Sequence, residues 1–219
     1  MEEKHLARRL SCTAAQCGAL GRHALIDEAC KMIPQPRDPP SSSKQVFEIN
    51  SLRSAPCRMR QLDLRHYRQF QTLLIQLDQH SRCSRFGFPA SDAALTAHAG
   101  SAFQYSSRII GAFVDNRLSG VLEVYRGTDE EPAKVEIVVE QRFRRNGIAT
   151  ALLRCAAQWA ASNDVYGLRL VFSRYNWPMR QLVRRANARL DVLLGEICAD
   201  IQVQNASRMT SEELQYVET

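Results

Sequence analysis

The run Val138-Val139-Glu140-Gln141-Arg142-Phe143-Arg144-Arg145-Asn146-Gly147-Ile148-Ala149-Thr150-Ala151-Leu152-Leu153 decides how the rest of the chain reads. It starts as the end of an apolar strand, passes through a turn carrying three arginines, and enters a helix at a glycine. A helix start leaves several backbone N–H groups unpaired and carries about half a positive charge. Gly147 and Ala149 are small enough for a phosphate to reach those amides, and Arg142, Arg144 and Arg145 add positive charge at the mouth. The stretch therefore predicts an anion site. It holds neither the glycine fingerprint of dinucleotide folds nor the GKS/T of a P-loop.

Upstream, Cys57 to Leu62 reads as a short strand, and His66 to Leu77 carries Phe70, Leu73, Leu74 and Leu77 at helical spacing. A weaker helix covers Asp92 to Ala99, with Ser91 as its cap. Three extended runs follow, Ser107 to Val114, Val121 to Tyr125 and Lys134 to Val139. Asp115-Asn116 and Gly127-Thr128-Asp129 supply the turns of an antiparallel meander. Downstream, Ile148, Leu152, Cys155 and Trp159 fall on one helical stripe. Leu168 to Phe172 is a continuous β run suited to a strand covered on both faces. Met179 to Ala188 reads as a helix after Asn176, with Pro178 in its first turn. Leu190 to Leu194 and Ile197 to Val203 make a hairpin about Gly195-Glu196. The order β-α-α-β-β-β-α-β-α-β-β is an α+β arrangement.

Pro34, Pro36, Pro39 and Pro40, followed by three serines, mark a linker over 34–55. It separates an N-terminal extension, 1–33, partly helical or disordered, from a globular domain at 56–204 and a polar, flexible tail at 205–219. At 45% apolar and 24% charged residues, the 219-residue chain is of ordinary globular composition, which excludes collagen, coiled-coil and wholly disordered classes. A net charge of +6 favours anionic partners. Seven cysteines without CxxC spacing or a secretory segment predict free thiols in a reducing compartment, the cytoplasm, and no zinc site. His66, His80 and His98 have no partners at metal spacing and read as surface or packing residues, so no metal is expected. Cys155 and Cys198 lie in apolar patterns as core residues. No run of about 18 apolar residues exists, which argues against a membrane span. The absence of a recognition helix, stacking platform or zinc motif argues against nucleic acid.

Within this frame Arg144-x-x-Gly147-x-Ala149 resembles the Q/R-x-x-G-x-G/A signature of the GNAT N-acetyltransferases, which follows the fourth strand of that fold. Asn176-x-x-Met179-x-x-Leu182 resembles the family's N-x-x-A-x-x-L segment after the fifth. Ser81-Arg82-Cys83-Ser84-Arg85-Phe86 resembles the S-x-Y-x-R-F element of the branch containing bacterial protein-lysine acetyltransferases. The likeness covers about residues 57–203. It implies a mixed, mainly antiparallel twisted sheet with helices on both faces and a V-shaped cleft where the fourth and fifth strands splay. In that cleft acetyl-CoA is the co-substrate. Its pyrophosphate is expected on the basic turn, with Arg142, Arg144, Arg145, Asn146, Gly147, Ile148, Ala149 and Thr150 as binding residues and Asn176 beside them. Backbone groups of Val138 and Val139 would hold the pantetheine arm.

The resemblance implies direct acetyl transfer to a primary amine. An alkylammonium has a pKa near 10.4, so less than about a thousandth is neutral at pH 7 and a base is useful. Glu136 and Glu123, on adjacent strands, are the candidates, with Asn176 a third catalytic candidate. The lysine-acetylating branch carries its carboxylate where this chain has Lys134, and many relatives place a Tyr where this chain has Val183. No general acid is assigned: Tyr175 is a candidate replacement, and a CoA thiolate can also take its proton from water. These departures keep a second function in view, a catalytically degenerate acyl-CoA-binding regulator. Arg174, Arg180, Arg184, Arg185 and Arg189 read either as a grip on the 3′-phosphate or as a solvated helix face. The acceptor, a small metabolite, antibiotic-like amine or protein lysine, is left open, as is a homodimer.

Overall fold

The computed structural model describes residues 47–49, 57–127 and 131–203. The extension at 1–33, most of the linker, the Thr128-Asp129 part of the second turn and the tail at 205–219 lie outside the described residues.

A meander forms the middle of the sheet. Strands β3 (Arg108–Val114), β4 (Arg117–Tyr125) and β5 (Ala133–Val139) pair antiparallel in sequence order. Asp115 and Asn116 join the first two with φ of 49° and 61°, the left-handed pair whose twist matches the flanking strands. Strands β1 (Phe47–Ile49) and β2 (Cys57–Gln61) extend one side. Strands β6 (Gly167–Ser173), β7 (Arg189–Leu193) and β8 (Glu196–Gln202) extend the other. The order is β1-β2-β3-β4-β5-β6-β8-β7, with every neighbour antiparallel except β5 and β6. Strand β1 corrects the linker reading at its end. The proline block stops at Pro40, so Phe47–Ile49 are free to pair with Cys57–Met59.

Helices cover both faces. One core packs Phe70 and Leu74 of α1 (Tyr67–Ile75), Phe86 of α2 (Gln79–Phe86) and Leu95 and Ala99 of α3 (Asp92–Tyr105) against Ile109, Phe113, Val121 and Val138. The other packs Ile148, Leu152 and Ala156 of α4 (Ile148–Ala161) with Leu182 and Val183 of α5 (Trp177–Arg185) on Ile110, Ala112, Leu122 and Val135. Neighbouring residues of β3 thus serve opposite cores, the two-residue alternation of a strand buried on both sides.

Three helices differ from the sequence reading. Helix α2 was not expected; Asp78 caps it by accepting the Ser81 N–H at 2.9 Å, and Gly87 closes it at φ 82°. Helix α3 runs to Tyr105 rather than Ala99, because its inward side is built from Leu95, His98, Ala99 and Ala102. In α4 the buried side is wider than the stripe and centres on Leu152, Ala156 and Ala160, with Cys155 and Trp159 on its flank. Alanines allow that helix to lie close to the sheet. A Cβ on Gly120 of β4 would stand 3.1 Å from Ile148 Cγ2, so this glycine seats the start of α4. Among the described residues no helix is long and apolar enough to cross a membrane.

Candidate active site

Strand β5 pairs with β6 only at Ala133↔Leu168 and Lys134↔Arg169. Beyond those two pairs the strands diverge, and a cavity of about 610 Å³ opens between them. The basic turn closes one end of it and α2 forms a wall. The Glu140 N–H donates to Ser119 O, which fixes the phase of the β4–β5 ladder. By alternation the backbone groups of Val138 turn toward β4, while those of Ile137 and Val139 face the open edge. Of the two valines expected to offer backbone groups, Val139 faces the open edge together with Ile137, while Val138 faces β4; all three line the cavity. The Val138 side chain is buried among α1–α3.

The turn itself is built by backbone conformation. Gly147 caps α4 at φ 75°, a left-handed value that a side chain would strain, and no side chain caps the helix there. The first amides of α4, from Ile148 to Thr150, are therefore left without intrahelical partners, and all three residues line the cavity. Arg145 is also left-handed, at φ 66°, and lines the same space.

The three turn arginines do different jobs. Arg144 donates through Nε to Val139 O at 3.0 Å and through Nη2 to Ser81 Oγ at 2.7 Å, so it is a brace between the turn and α2. Arg142 does not line the cavity. Its Nε lies 2.7 Å from Glu140 Oε1 and its guanidinium stacks on Phe143, which corrects its expected place at the mouth. Asn146 likewise does not line the cavity and donates to Phe143 O at 3.3 Å. Of the five arginines after β6 considered for the 3′-phosphate, Arg185 lines the cavity.

Asn176 sits on the opposite jaw. Its Oδ1 accepts the Met179 N–H at 3.2 Å, capping α5, while its Nδ2 donates to Ser84 Oγ at 2.8 Å. Helix α2 is thus tied to both jaws, through Ser81 to the turn and through Ser84 to α5. Arg82 anchors the same helix by donating to the carbonyls of Ile75, Leu77 and Ala90. Tyr175 lines the cavity with its hydroxyl accepting from Arg174, and Val183 is fully buried.

The two carboxylates stand opposite each other in the β4–β5 register and share one guanidinium. Arg85 of α2, its side chain 9% exposed, places Nη2 2.8 Å from Glu123 Oε1 and Nη1 2.9 Å from Glu136 Oε2. Glu123 is 1% exposed and fully engaged: His98 Nε2 lies 2.8 Å from Oε2, and the Tyr125 hydroxyl donates to the same oxygen at 2.6 Å. Burial works to raise the Glu123 pKa, yet His98 and Arg85 more than offset it and hold the carboxyl far below the usual range. Glu136 shows the same balance, burial opposed by Arg85 and Lys134, with the pKa lowered. Burial acts against the charge of Arg85, and Glu136 and Glu123 override it. The two base candidates therefore separate. Glu123 does not line the cavity and holds Arg85 in place; Glu136 is the single carboxylate among the cavity-lining residues. Lys134 Nζ lies 2.9 Å from its other oxygen, Oε1.

Sequence reasoning placed His98 as a surface or packing residue and did not single out Tyr125. Both join the site because β4 and α3 converge on Glu123. Helical spacing puts His98 on the apolar side of α3, but only the tertiary fold supplies its carboxylate. Burial pushes the thiol of Cys155, which is partly buried against the core, up to about 11.

A family model described as the acetyltransferase (GNAT) family matches residues 74–186. A streptothricin acetyltransferase from Escherichia coli is 37% identical over 73 residues, 33% of this chain; the match spans 41% of that protein's length. Among solved structures, the GNAT domain of S. lividans PAT superposes with a TM-score of 0.65 at 16% identity, covering 72% of this chain and 96% of that one. The RimL ribosomal L7/L12 alpha-N-protein acetyltransferase in complex with coenzyme A gives 0.57 at 15% identity, over 73% and 99%. The two structures share the fold.

Proposed function

This chain belongs to the GNAT acetyltransferase family, whose acetyl donor is acetyl-CoA, and from that premise we propose that it is an N-acetyltransferase passing the acetyl group directly to a primary amine, of a small molecule or a protein lysine. The observation that carries this reading is the charge layout of the cavity. Arg144, Arg145 and Arg185 line it with the open amides of α4, as a diphosphate requires, and Glu136 alone supplies negative charge for an incoming ammonium.

In this reading the pyrophosphate of acetyl-CoA lies on the amides of Ile148, Ala149 and Thr150, and the pantetheine arm extends the sheet along Ile137 and Val139. An N–H on that edge polarises the thioester oxygen. Glu136 attracts the amine and takes its proton, directly or through water, as the amine attacks. Glu123 lies outside the cavity lining and holds Arg85, which lines the cavity and fixes the Glu136 carboxylate. The thiolate of CoA, a fair leaving group, takes its proton from water. The catalytic unit is assigned to 56–204, carrying β1 on its edge, and the protein to a reducing compartment, the cytoplasm, in keeping with free Cys57, Cys83, Cys155 and Cys198.

Thiol release from acetyl-CoA over a panel of amines, with calorimetry for CoA binding, tests the reading. Turnover with a primary amine supports it. A second function, CoA binding without chemistry, draws on the buried Val183 and on Lys134 held at Glu136. Tight CoA binding with no acetyl product from any amine establishes that function instead, and absence of both overturns the first.

A further inference from the structure

We propose that Lys134 is a self-acetylation site, modified on Nζ by the cleft of its own chain; this rests on the reading of that cleft as an acetyl-CoA site. Three observations converge on it. Lys134 is in the last β5–β6 pair before the strands part, so although it does not itself line the cavity it stands directly beside the vertex of the cleft, next to the lining residues Val135 and Glu136. Its Nζ lies 2.9 Å from Glu136 Oε1, which makes it an amine already delivered to the one carboxylate on the cavity wall. The Lys134 side chain is 40% exposed against 12% for Glu136, so the amine has room to move while its partner is fixed.

Composition sharpens the argument. Of 29 Lys and Arg residues only four are lysines, Lys4, Lys31, Lys44 and Lys134. Every Lys or Arg side chain after residue 44 is therefore a guanidinium, which does not take an acetyl group under these conditions, except the one paired with Glu136. A structural ion pair to Glu136 would be served as well by arginine, the residue used at the other basic positions of the domain.

The step balances without a further reactant. Glu136 or a water accepts a proton from the Nζ ammonium, and the neutral amine attacks the thioester carbonyl. The C–N bond forms, the C–S bond breaks, and CoA leaves as a thiolate that takes up a proton. The product is a neutral acetamide on Lys134, and Glu136 loses one of its two counter-charges.

The test uses the full chain, deuterium-labelled acetyl-CoA, intact-mass measurement and peptide mapping before and after incubation. One acetyl group at Lys134 is expected, incorporated at a rate per chain that does not change with protein concentration and that excess free CoA suppresses. Folded chain should react at least roughly tenfold faster than chain unfolded in urea, the benefit of a positioned amine. Lys134→Arg should lose the label at this position while keeping the positive charge beside Glu136. An unmodified Lys134 in a preparation that binds acetyl-CoA or acetylates an added amine overturns the inference and leaves the proposed function standing. Labelling that is equally fast in the unfolded chain, or indifferent to free CoA, is solution chemistry and overturns it too. A chain with neither CoA binding nor turnover defeats the proposed function, and the inference with it.

Discussion

The two ends of the cleft are made from different materials. At the end proposed for the acetyl donor, backbone does the work: a left-handed glycine, three open amides, and an arginine that braces a turn to a helix. At the end proposed for the acceptor, side chains do it, with Arg85, Glu123, His98, Tyr125, Glu136 and Lys134 drawn from two strands and two helices into one network. Backbone sites depend on local conformation and tolerate variation in neighbouring side chains. A buried charge network depends on every member, since removing one partner leaves the others desolvated and unpaired.

That contrast can be broken most sharply at Arg85. Arg85→Met leaves Glu123 buried without its cation, and a loss of about 3–5 kcal/mol is expected in urea unfolding. Retained stability would mean that the network is not a unit. Next in size is Glu136→Gln, which keeps the shape of the side chain but not its basicity. Turnover should fall on the order of 100-fold with acetyl-CoA affinity unchanged in calorimetry.

Acid should expose the same network in the parent chain. Glu123 and Glu136 both have folded-state pKa values depressed below an ordinary 4.5. Their contribution is fully present above that ordinary value and is lost as pH falls through the lower folded-state values. Urea midpoints followed from pH 7 downward should fall below about pH 4.5. In Arg85→Met this acid limb should flatten.

The donor end should respond more gently. Gly147→Ala forces a side chain into φ 75° at a strain of about 1–2 kcal/mol, and weakens CoA binding by roughly tenfold in calorimetry. Smallest of all is Arg142→Ala. Neither Arg142 nor its partner Glu140 lines the cavity, so CoA affinity should change by less than about twofold.

The same contrast explains what was legible in advance. The meander, the strand-turn-helix and the closing hairpin could be read because each rests on local signals. Asp115-Asn116 twists a hairpin, Gly147 starts a helix after an arginine turn, and Gly195 marks the last turn, which falls on Leu194 and Gly195, at φ 51° and 84°, one residue before the expected Gly195-Glu196 because Leu193 pairs with Glu196. Helix α2 had such signals at its ends, Asp78 and Gly87, but its interior of polar and charged residues gave no apolar stripe, because Arg82 and Arg85 are turned inward to carbonyls and carboxylates. The acceptor network was legible only as the pair of strand carboxylates. That Glu123 would be locked and Glu136 left at the cavity depends on α3 bringing His98 across 25 positions of sequence and α2 bringing Arg85 across 38. No local pattern encodes those meetings. Arg142, placed at the mouth by its neighbourhood, was captured instead by Glu140 two residues before it.

One eight-residue helix sets the gauge of the cleft. Ser81 is bolted to the jaw that follows β5 and Ser84 to the jaw that follows β6, so α2 behaves as a strut of fixed length between them. In its last turn the strut carries Arg85, so the same rod that spans the jaws also grips both carboxylates, and one element sets both the gauge of the groove and the posture of Glu136.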